Sequence, residues 1–146
     1  MKTNKNIIMI LLFGILSFNF LSAQPAGDAE QIKSALTKIF EMSKADNYDA
    51  CAAFIAYSGD DKKREFVDTY NIKDRSEAKD VKRISKKIKA LLDITDNYNF
   101  TTLTSEKTEG IDIFVQTVDF KSSGQQISTK FEFVKAGEKY LLVTVK

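Results

Sequence analysis

Apolar residues recur at the spacing of an α-helix early in the chain. The pattern predicts a first helix that Asp28 caps and that runs to Ala45. Its apolar face consists of Ile32, Leu36, Ile39 and Phe40. A second helical segment, Tyr48 to Tyr57, follows a short polar break. Each of these segments has one apolar side, so both are expected to pack against another layer of the protein.

The third predicted helix has the most regular pattern. Asp74 and Glu77 have the spacing of a capping box at its start. Its apolar stripe consists of Val81, Ile84, Ile88, Leu91 and Leu92. Its opposite face is basic and consists of Lys79, Lys82, Arg83, Lys86 and Lys89. A basic outer face is usual for a solvated helix, and contact with an anionic glycan or phospholipid headgroup is the alternative.

From Tyr98 onward polar and apolar residues alternate, which predicts β-strands. Four strands are expected, at about Asn97 to Lys107, Ile111 to Lys121, Gln125 to Val134 and Lys139 to Val145. The turns between them, "TEG", "SSG" and "KAG", end in glycine and predict hairpins. The predicted fold class is therefore α+β, with three N-terminal helices packed on a curved four-stranded antiparallel sheet.

The register of the hairpins can be tested because a slip of one residue exchanges the two faces of a strand. Placing Ser122 opposite Gln125, and Lys107 opposite Ile111, gives an apolar face. Its aromatic residues are Tyr98, Phe100, Phe114, Phe120, Phe131 and Phe133. A glycine bulge at Gly137 would add Leu141, Val143 and Val145 to that face. The opposite face is expected to hold Asp112, Asp119, Ser128, Lys130 and Glu132, beside a small apolar strip.

Polar side chains interrupt the predicted apolar face. The register places Thr102 opposite Gln116, with Thr129 beside them and Tyr98 further along the same face. A pocket beneath helices with a few converging polar groups is typical of small-ligand sites. These four residues are therefore the candidate binding residues for a small apolar ligand. The alternative is that they satisfy one another or a trapped water.

The stretch "YSGDDKKREF", residues 57–66, separates the second and third helices. Gly59 is expected to end a helix in the left-handed conformation, and Asp60 or Asp61 to cap the next turn. Phe66 and Tyr70 are expected to hold the segment to the core. The cations of the stretch are either solvated or form an anion-binding site: Lys62, Lys63 and Arg64. Two adjacent aspartates supply too few ligands for a calcium loop.

The N-terminus has the layout of a secretory signal peptide. Lys2 and Lys5 precede an apolar run, Ile7 to Phe20, and Ala23 is a small residue at the expected cleavage site. The predicted organisation is a signal peptide, residues 1–23, followed by a single domain, residues 24–146. An uncleaved N-terminal anchor is the alternative. The protein is expected in the periplasm or outside the cell, without stable membrane insertion after cleavage.

Charge and cysteine content limit the possible partners. The full chain carries 22 basic and 20 acidic residues, and removal of the signal peptide takes away two lysines. The remaining domain is electrically balanced, so no nucleic acid is expected as a partner. The single cysteine, Cys51, cannot form an internal disulfide and is expected to be buried.

Catalytic chemistry has few candidate residues. The chain has no histidine, and the predicted apolar face has no carboxylate, lysine or arginine. General acid–base catalysis needs a titratable group within hydrogen-bond reach of the substrate. Tyr98, Tyr57 and Asp112 are the candidates that remain. Neither a metal site nor a cofactor is expected, because no ligand cluster and no glycine-rich phosphate loop is present.

Helices followed by an antiparallel meander resemble the nuclear transport factor 2-like, or cystatin-like, α+β superfamily. The resemblance covers Asp28 to Val145 and rests on the order of the elements. The segments "YDACAAFIAYSGDDKKREF" and "VKRISKKIKALL" are also similar to small exported bacterial proteins of unknown function. The superfamily resemblance implies an isomerase or dehydratase, a ligand-binding module or a dimerising scaffold. Its enzymes place acids, histidines or tyrosines between helices and sheet, and this sequence departs from that pattern.

The leading hypothesis is an exported, non-catalytic binding or interaction domain that holds a small apolar ligand between helices and sheet. One alternative is a lyase or isomerase that uses a tyrosine or Asp112. Another is a structural module that forms a homodimer through the outer sheet face, at Ile113, Val115 and Val134.

Overall fold

The computed structural model of the protein describes residues 26–146. The predicted signal peptide therefore lies outside the described residues. The helices are α1 (Ala26–Lys44), α2 (Tyr48–Cys51) and α3 (Arg75–Asp93), and a 3₁₀ turn, Ala52–Phe54, follows α2 directly. The strands are β1 (Asn97–Thr108), β2 (Ile111–Ser122), β3 (Gln125–Ala136) and β4 (Lys139–Val145). Within residues 26–146, no helix has the length and apolar character needed to cross a membrane.

The helices α1 and α3 form where the apolar periodicity predicts them. Asp28 lies in the first turn of α1, and the predicted apolar face of α1 is buried. Asp74 caps α3, because its carboxylate accepts hydrogen bonds from the amides of Ser76 at 2.8 Å and Glu77 at 3.0 Å. The predicted capping box is not completed. The Glu77 carboxylate accepts instead from the Asn71 amide at 2.6 Å.

The second helical segment is shorter than predicted. The 3₁₀ turn ends at Phe54, and Ile55 is extended with φ −114° and ψ 124°. Ile55 forms a parallel bridge with Leu142 of β4, and the Ala56 amide donates to the Leu142 carbonyl at 2.8 Å. The prediction of helix from Ile55 to Tyr57 is wrong. The edge of β4 offers backbone partners that only the tertiary structure brings near.

The four strands form one antiparallel sheet in the order β1-β2-β3-β4. The register of β2 with β3 is the predicted one, with Ser122 opposite Gln125. In the turn between them φ is 47° at Ser123 and 81° at Gly124. Positive φ at both central residues is the geometry of a two-residue type I′ hairpin, and glycine adopts it without strain.

The predicted register of β1 holds for only its first half. The register shifts between Phe100 and Leu103, where β1 has one residue more than β2. Leu103 therefore lies opposite Gln116. The prediction that Thr102 faces Gln116 is wrong, and the Thr102 side chain is exposed.

The turn between β1 and β2 accounts for this shift. The prediction placed Lys107 opposite Ile111 across a three-residue loop. In the structure Thr108 lies opposite Ile111 across a two-residue turn. The shorter turn displaces the second half of β1 by one residue, and the bulge returns the first half to the predicted register.

The turn between β3 and β4 also differs from the prediction. Gly137 has a φ of 62° and begins a two-residue turn, since Ala136 lies opposite Lys139. The predicted bulge at Gly137 would have turned Leu141 and Val143 toward the helices. Leu141 belongs instead to a cluster on the other face of the sheet. The β4 residues that join the main core are Tyr140, Leu142 and Val145.

We call the sheet surface that packs against the helices the inner face. Its buried members on β2 and β3 are Phe114, Gln116, Val118, Phe120, Thr129, Phe131 and Phe133. Phe40 of α1 packs on this face, with ring centroids 5.1 Å from Tyr98 and 5.5 Å from Phe131. No charged residue is buried in the described part of the chain. The α+β fold class and the apolar inner face are therefore confirmed.

The opposite, outer face of the sheet is covered at one end. Val134 and Leu141 are buried there, and Phe66 packs against them from the segment that precedes α3. Elsewhere the outer face is polar, as predicted, and the Ser128 hydroxyl lies 2.6 Å from the Asp119 carboxylate. The surface predicted for dimerisation is thus reduced, because Val134 is only 1% exposed.

The position predicted for Asp112 is wrong. Side chains alternate along a strand, which places Asp112 on the same side of β2 as Phe114. Asp112 lies at the end of the strand and is exposed, with its carboxylate 3.6 Å from the Lys107 amine. The inner face stays uncharged because Asp112 lies beyond its buried part.

Candidate functional site

Gln116 and Thr129 lie together on the inner face, as predicted. Gln116 is fully buried and Thr129 is 5% exposed. The Gln116 side-chain amide donates to the Thr117 carbonyl at 2.8 Å and to the Thr102 carbonyl at 3.3 Å. The second bond reaches the bulge of β1, where the backbone lacks its regular ladder partners. Gln116 therefore has a structural role in holding the bulge.

Tyr98 also lies on the inner face, where its ring packs against Phe40 and Phe100. Thr102 is separated from Gln116 and Thr129 by the bulge, and only its backbone carbonyl contacts Gln116. The structure thus brings three of the four predicted ligand-binding residues to one face and excludes the Thr102 side chain. Binding of a ligand by Gln116, Thr129 and Tyr98 stays a prediction.

An apolar cleft lies between α1, the 3₁₀ turn and the start of β4. We call it the α1 cleft. Its volume is about 530 Å³, and its apolar walls consist of Ala35, Ala53, Phe54, Tyr140 and Leu141. Charged side chains of both signs line it: Glu30, Lys38, Glu138 and Lys139. The Lys38 amine lies 5.7 Å from the centroid of the Phe54 ring, within the range of a cation–π contact.

Tyr140 lines the α1 cleft and is almost fully buried. It is 3% exposed, and its hydroxyl has no hydrogen-bond partner among the described residues within the usual distance limits. Burial raises the pKa of Tyr140, and the nearby Asp28 carboxylate raises it further. The phenol is therefore neutral at physiological pH.

The stretch 57–66 is part of a segment, residues 57–70, which we call the Arg64 loop. The Arg64 guanidinium donates to both Glu77 oxygens, at 2.8 and 3.1 Å, to Asp68 at 2.9 Å and to the Thr69 carbonyl at 2.9 Å. The same group lies 4.1 Å from the centroid of the Tyr57 ring. Arg64 thus joins the loop to the first turn of α3 through several directional contacts.

The contacts of Arg64 revise the predicted anion-binding site. Both Glu77 and Asp68 already neutralise the guanidinium, and Lys62 pairs with Glu65 at 2.8 Å. Among the three predicted cations, Lys63 alone lacks an ion pair with a described carboxylate. The interpretation of Arg64 as solvated is wrong, since its side chain is 28% exposed and bonded throughout. The three side chains do not converge on one unoccupied position.

Glycine is needed at position 59 because the Tyr57 side chain packs closely against its backbone, and not because the backbone is left-handed. Its φ is not positive, unlike that of Phe66, which has a φ of 62°. A β-carbon on residue 59 would lie 2.4 Å from the Tyr57 hydroxyl oxygen. The Asp61 side chain accepts from the Lys63 amide at 3.0 Å and caps the next turn, as predicted. The predicted role of Gly59 as a helix end is wrong because no helix reaches it.

The remaining catalytic candidates lie in separate places. Tyr57 is 8% exposed, and its hydroxyl accepts from the Asp61 amide at 3.3 Å. Asp112 is at the far end of β2, and Tyr98 is packed among aromatic rings. The described residues contain no group of three or more side chains that could hold a metal ion. The arrangement offers surfaces for binding, and these three candidates do not form one site.

Sequence reasoning missed Tyr140 and the α1 cleft. A signal was present, because glycine at the first position of a two-residue loop predicts a type II′ hairpin. That turn would have placed Tyr140 and Leu142 on the inner face. No local pattern indicated the contact of Arg64 with Glu77, since the two residues lie 13 positions apart. Cys51 is fully buried, as predicted.

Comparison with protein-family models and with curated proteins gives no match. Among solved structures, the chain is similar to a designed NTF2-like protein, Rd1NTF2_05 with five substitutions. The sequence identity is 16% and the TM-score is 0.48, over 82% of this chain and 96% of that one. The fold described above therefore rests on the arrangement of its own helices and strands.

Proposed function

We propose that the protein is an exported, non-catalytic binding domain that takes a small, largely apolar ligand in the α1 cleft. The observation that carries the proposal is the cleft itself. Its volume of about 530 Å³ falls in the range of roughly 300–1,000 Å³ that small-molecule sites occupy. Its apolar walls also match that class of site.

The surroundings of Tyr140 support a binding role over a catalytic one. Its hydroxyl is buried near the Asp28 carboxylate, and its raised pKa makes it a poor general base. Lys38 and Lys139 at the rim can contact a polar end group while the apolar body lies on Ala53 and Phe54. The interior beneath the helices is filled by side chains such as Phe131 and Gln116, so the edge of the sheet is the more accessible position.

The binding of 1-anilinonaphthalene-8-sulfonate, an apolar anion whose fluorescence rises in apolar sites, tests the proposal. Ala53 is exposed and lines the cleft, so Ala53→Trp fills it. Ala90→Trp adds the same ring to an exposed position on α3, outside the cleft. The proposal predicts that Ala53→Trp weakens binding of the dye by at least about tenfold and that Ala90→Trp leaves it unchanged. Circular dichroism checks that both variants fold.

Equal binding of the dye by the two variants would contradict a site in the α1 cleft. Absence of binding to the wild type would contradict it as well. A substitution on the inner face gives an independent control. Gln116 does not line the α1 cleft, so Gln116→Leu is expected to leave dye binding intact.

Export is tested separately by the N-terminus of the protein isolated from the cells that make it. Cleavage after Ala23 predicts Gln24 as the first residue, in material recovered outside the cytoplasm. Recovery of the intact N-terminus from the cytoplasm would contradict the proposed location.

A further inference from the structure

One side of α3 carries a row of cations without partners. Arg75, Lys79, Lys82 and Lys86 follow one another at spacings of four, three and four residues. This spacing places them within a sector of about 60° around the helix axis. All four are exposed, and none pairs with a carboxylate in residues 26–146. We call these four residues the basic stripe.

The basic stripe borders a second cleft, of about 400 Å³, between α3 and the start of α2. Arg75, Lys79 and Lys82 form one wall, and Asn47 and Tyr48 belong to the other. The Lys82 amine lies 5.9 Å from the centroid of the Tyr48 ring. The cleft therefore combines three cations with one aromatic ring, one amide and two carboxylates, those of Asp46 and Asp49.

Tyr48 is held in place at the edge of this cleft. Its hydroxyl donates a hydrogen bond to the Asp46 carboxylate, and this bond raises the pKa of Tyr48 to about 12. The Lys89 amine lies 3.4 Å from the same carboxylate. Asp46 is thus engaged by two neighbours, which reduces the repulsion that it would exert on an anion in the cleft.

The distribution of charge sets α3 apart from the rest of the domain. The helix carries seven cationic and three acidic residues, whereas residues 24–146 as a whole are balanced. The excess positive charge is therefore concentrated on one element. A concentrated positive surface attracts anions even when the protein has no net charge.

We propose that the basic stripe and its cleft bind an acidic polysaccharide. The stripe is narrow and runs for about 17 Å along the helix, which suits a linear chain of repeated anionic groups. Tyr48 supplies an aromatic ring that can pack on the apolar face of a sugar. Asn47 supplies an amide that can form hydrogen bonds with sugar hydroxyls beside the cations. This site is separate from the α1 cleft and does not depend on it.

Other polyanions fit the stripe less well. A membrane surface presents a broad anionic plane, and it would meet Asp80 outside the cleft as well as the cations of the stripe. Single-stranded nucleic acids bind to platforms of successive aromatic side chains. The cleft has one aromatic residue, Tyr48, among its lining residues.

The test measures binding of the purified protein to polygalacturonate and to heparin fragments, with neutral dextran as a control. Lys79→Glu with Lys82→Glu reverses two charges of the stripe. Lys121→Glu with Lys130→Glu makes the same change in net charge at exposed positions of the sheet. We expect salt-dependent binding by the wild type, at least about tenfold weaker binding by the stripe variant, and binding within about threefold of wild type by the control.

Several results would overturn the proposal. Equal weakening by the two double variants would show that net charge alone governs binding. Failure of the wild type to bind either acidic polysaccharide would exclude the site. Tighter binding to anionic vesicles or to an oligothymidylate would assign the stripe to a different partner. Thermal unfolding of each variant shows whether a loss of binding reflects a loss of fold.

Discussion

The inner face of the sheet and the Arg64 loop differ in the interactions that stabilise them. Phe131 and Phe133 are fully buried on the inner face, in surroundings without charged side chains. The Arg64 loop depends on directional bonds from one guanidinium to Glu77 and Asp68. Burial of apolar area is non-directional and stabilises the whole fold. Ion pairs near the surface contribute less to the free energy of unfolding and mainly fix local geometry.

The largest loss in the free energy of unfolding is expected for a substitution on the inner face. Phe133→Ala removes a fully buried ring and leaves a cavity, so we expect the free energy of unfolding to fall by about 3–5 kcal/mol. Ile127→Ala is the matched control, because Ile127 is 48% exposed near the end of the same strand. Urea denaturation measures both. A loss of less than about 1 kcal/mol for Phe133→Ala would contradict the assignment of the core.

An intermediate loss in the free energy of unfolding is expected where Phe66 of the Arg64 loop contacts the outer face of the sheet. Phe66 covers Val134 but adopts a φ of 62°, which is unfavourable for a bulky residue. Phe66→Ala loses the contact and keeps the unfavourable conformation, with an expected loss of about 1–2 kcal/mol. Phe66→Gly loses the same contact but relieves the strain, and we expect it to be more stable than Phe66→Ala by about 1 kcal/mol. The reverse order in thermal unfolding would contradict left-handed geometry at this residue.

A smaller effect is expected for Gln116→Leu. The substitution removes the side-chain bonds to the Thr102 and Thr117 carbonyls, but it also removes a buried oxygen that has no partner in the described residues. These contributions oppose each other, so the net change in the free energy of unfolding should stay within about 1 kcal/mol. Amide exchange near Leu103 should accelerate, because the bulge loses its support. Unchanged exchange there would contradict the role assigned to Gln116.

The smallest effect on global unfolding is expected in the Arg64 loop, where the response is local and depends on pH. Hydrogen bonds from Arg64 lower the pKa of Glu77 below its ordinary value of 4.5, and also lower the pKa of Asp68 below 3.8. The stability that these carboxylates contribute is fully present at pH values above their ordinary pKa values. It is lost as the pH falls through the lowered values of the folded state.

Hydrogen exchange, corrected for the intrinsic effect of pH, measures this response. Protection of residues 57–70 should fall as the pH is lowered below about 4, while the central strands stay protected. Glu77→Gln should reduce protection of the loop already at pH 6, with little change in β2 and β3. Loss of protection in loop and sheet at the same pH would show that the two regions unfold together.

The inner face could be predicted because its information is periodic and local. Alternation along β2 and β3, together with the glycine of the turn between them, determines which side chains share a face. The predicted register differs from the observed one at Gly110 and Gly137, where the loop is one residue shorter than predicted. The predicted position of Thr102 is consequently wrong by one residue, whereas Gln116 and Thr129 lie on the inner face as predicted.

The candidate sites could not be predicted from local patterns because residues far apart in the chain form them. The α1 cleft joins Ala53 to Tyr140, and the Arg64 loop joins Arg64 to Glu77. The sequence indicated the cations of α3, since their spacing is that of one helix face. The sequence did not indicate which of those cations form ion pairs. Some of the carboxylates that pair with them lie outside α3, and Asp46, the partner of Lys89, is an example.

By itself, the sequence determined the helices, the four strands and the apolar inner face, because apolar periodicity and turn residues act over a few neighbouring positions. The tertiary structure alone decided how Ile55 joins the edge of β4, where Phe66 meets the outer face and which charges are paired. These features depend on distances between residues far apart in the chain, and such distances are fixed only when the layers pack.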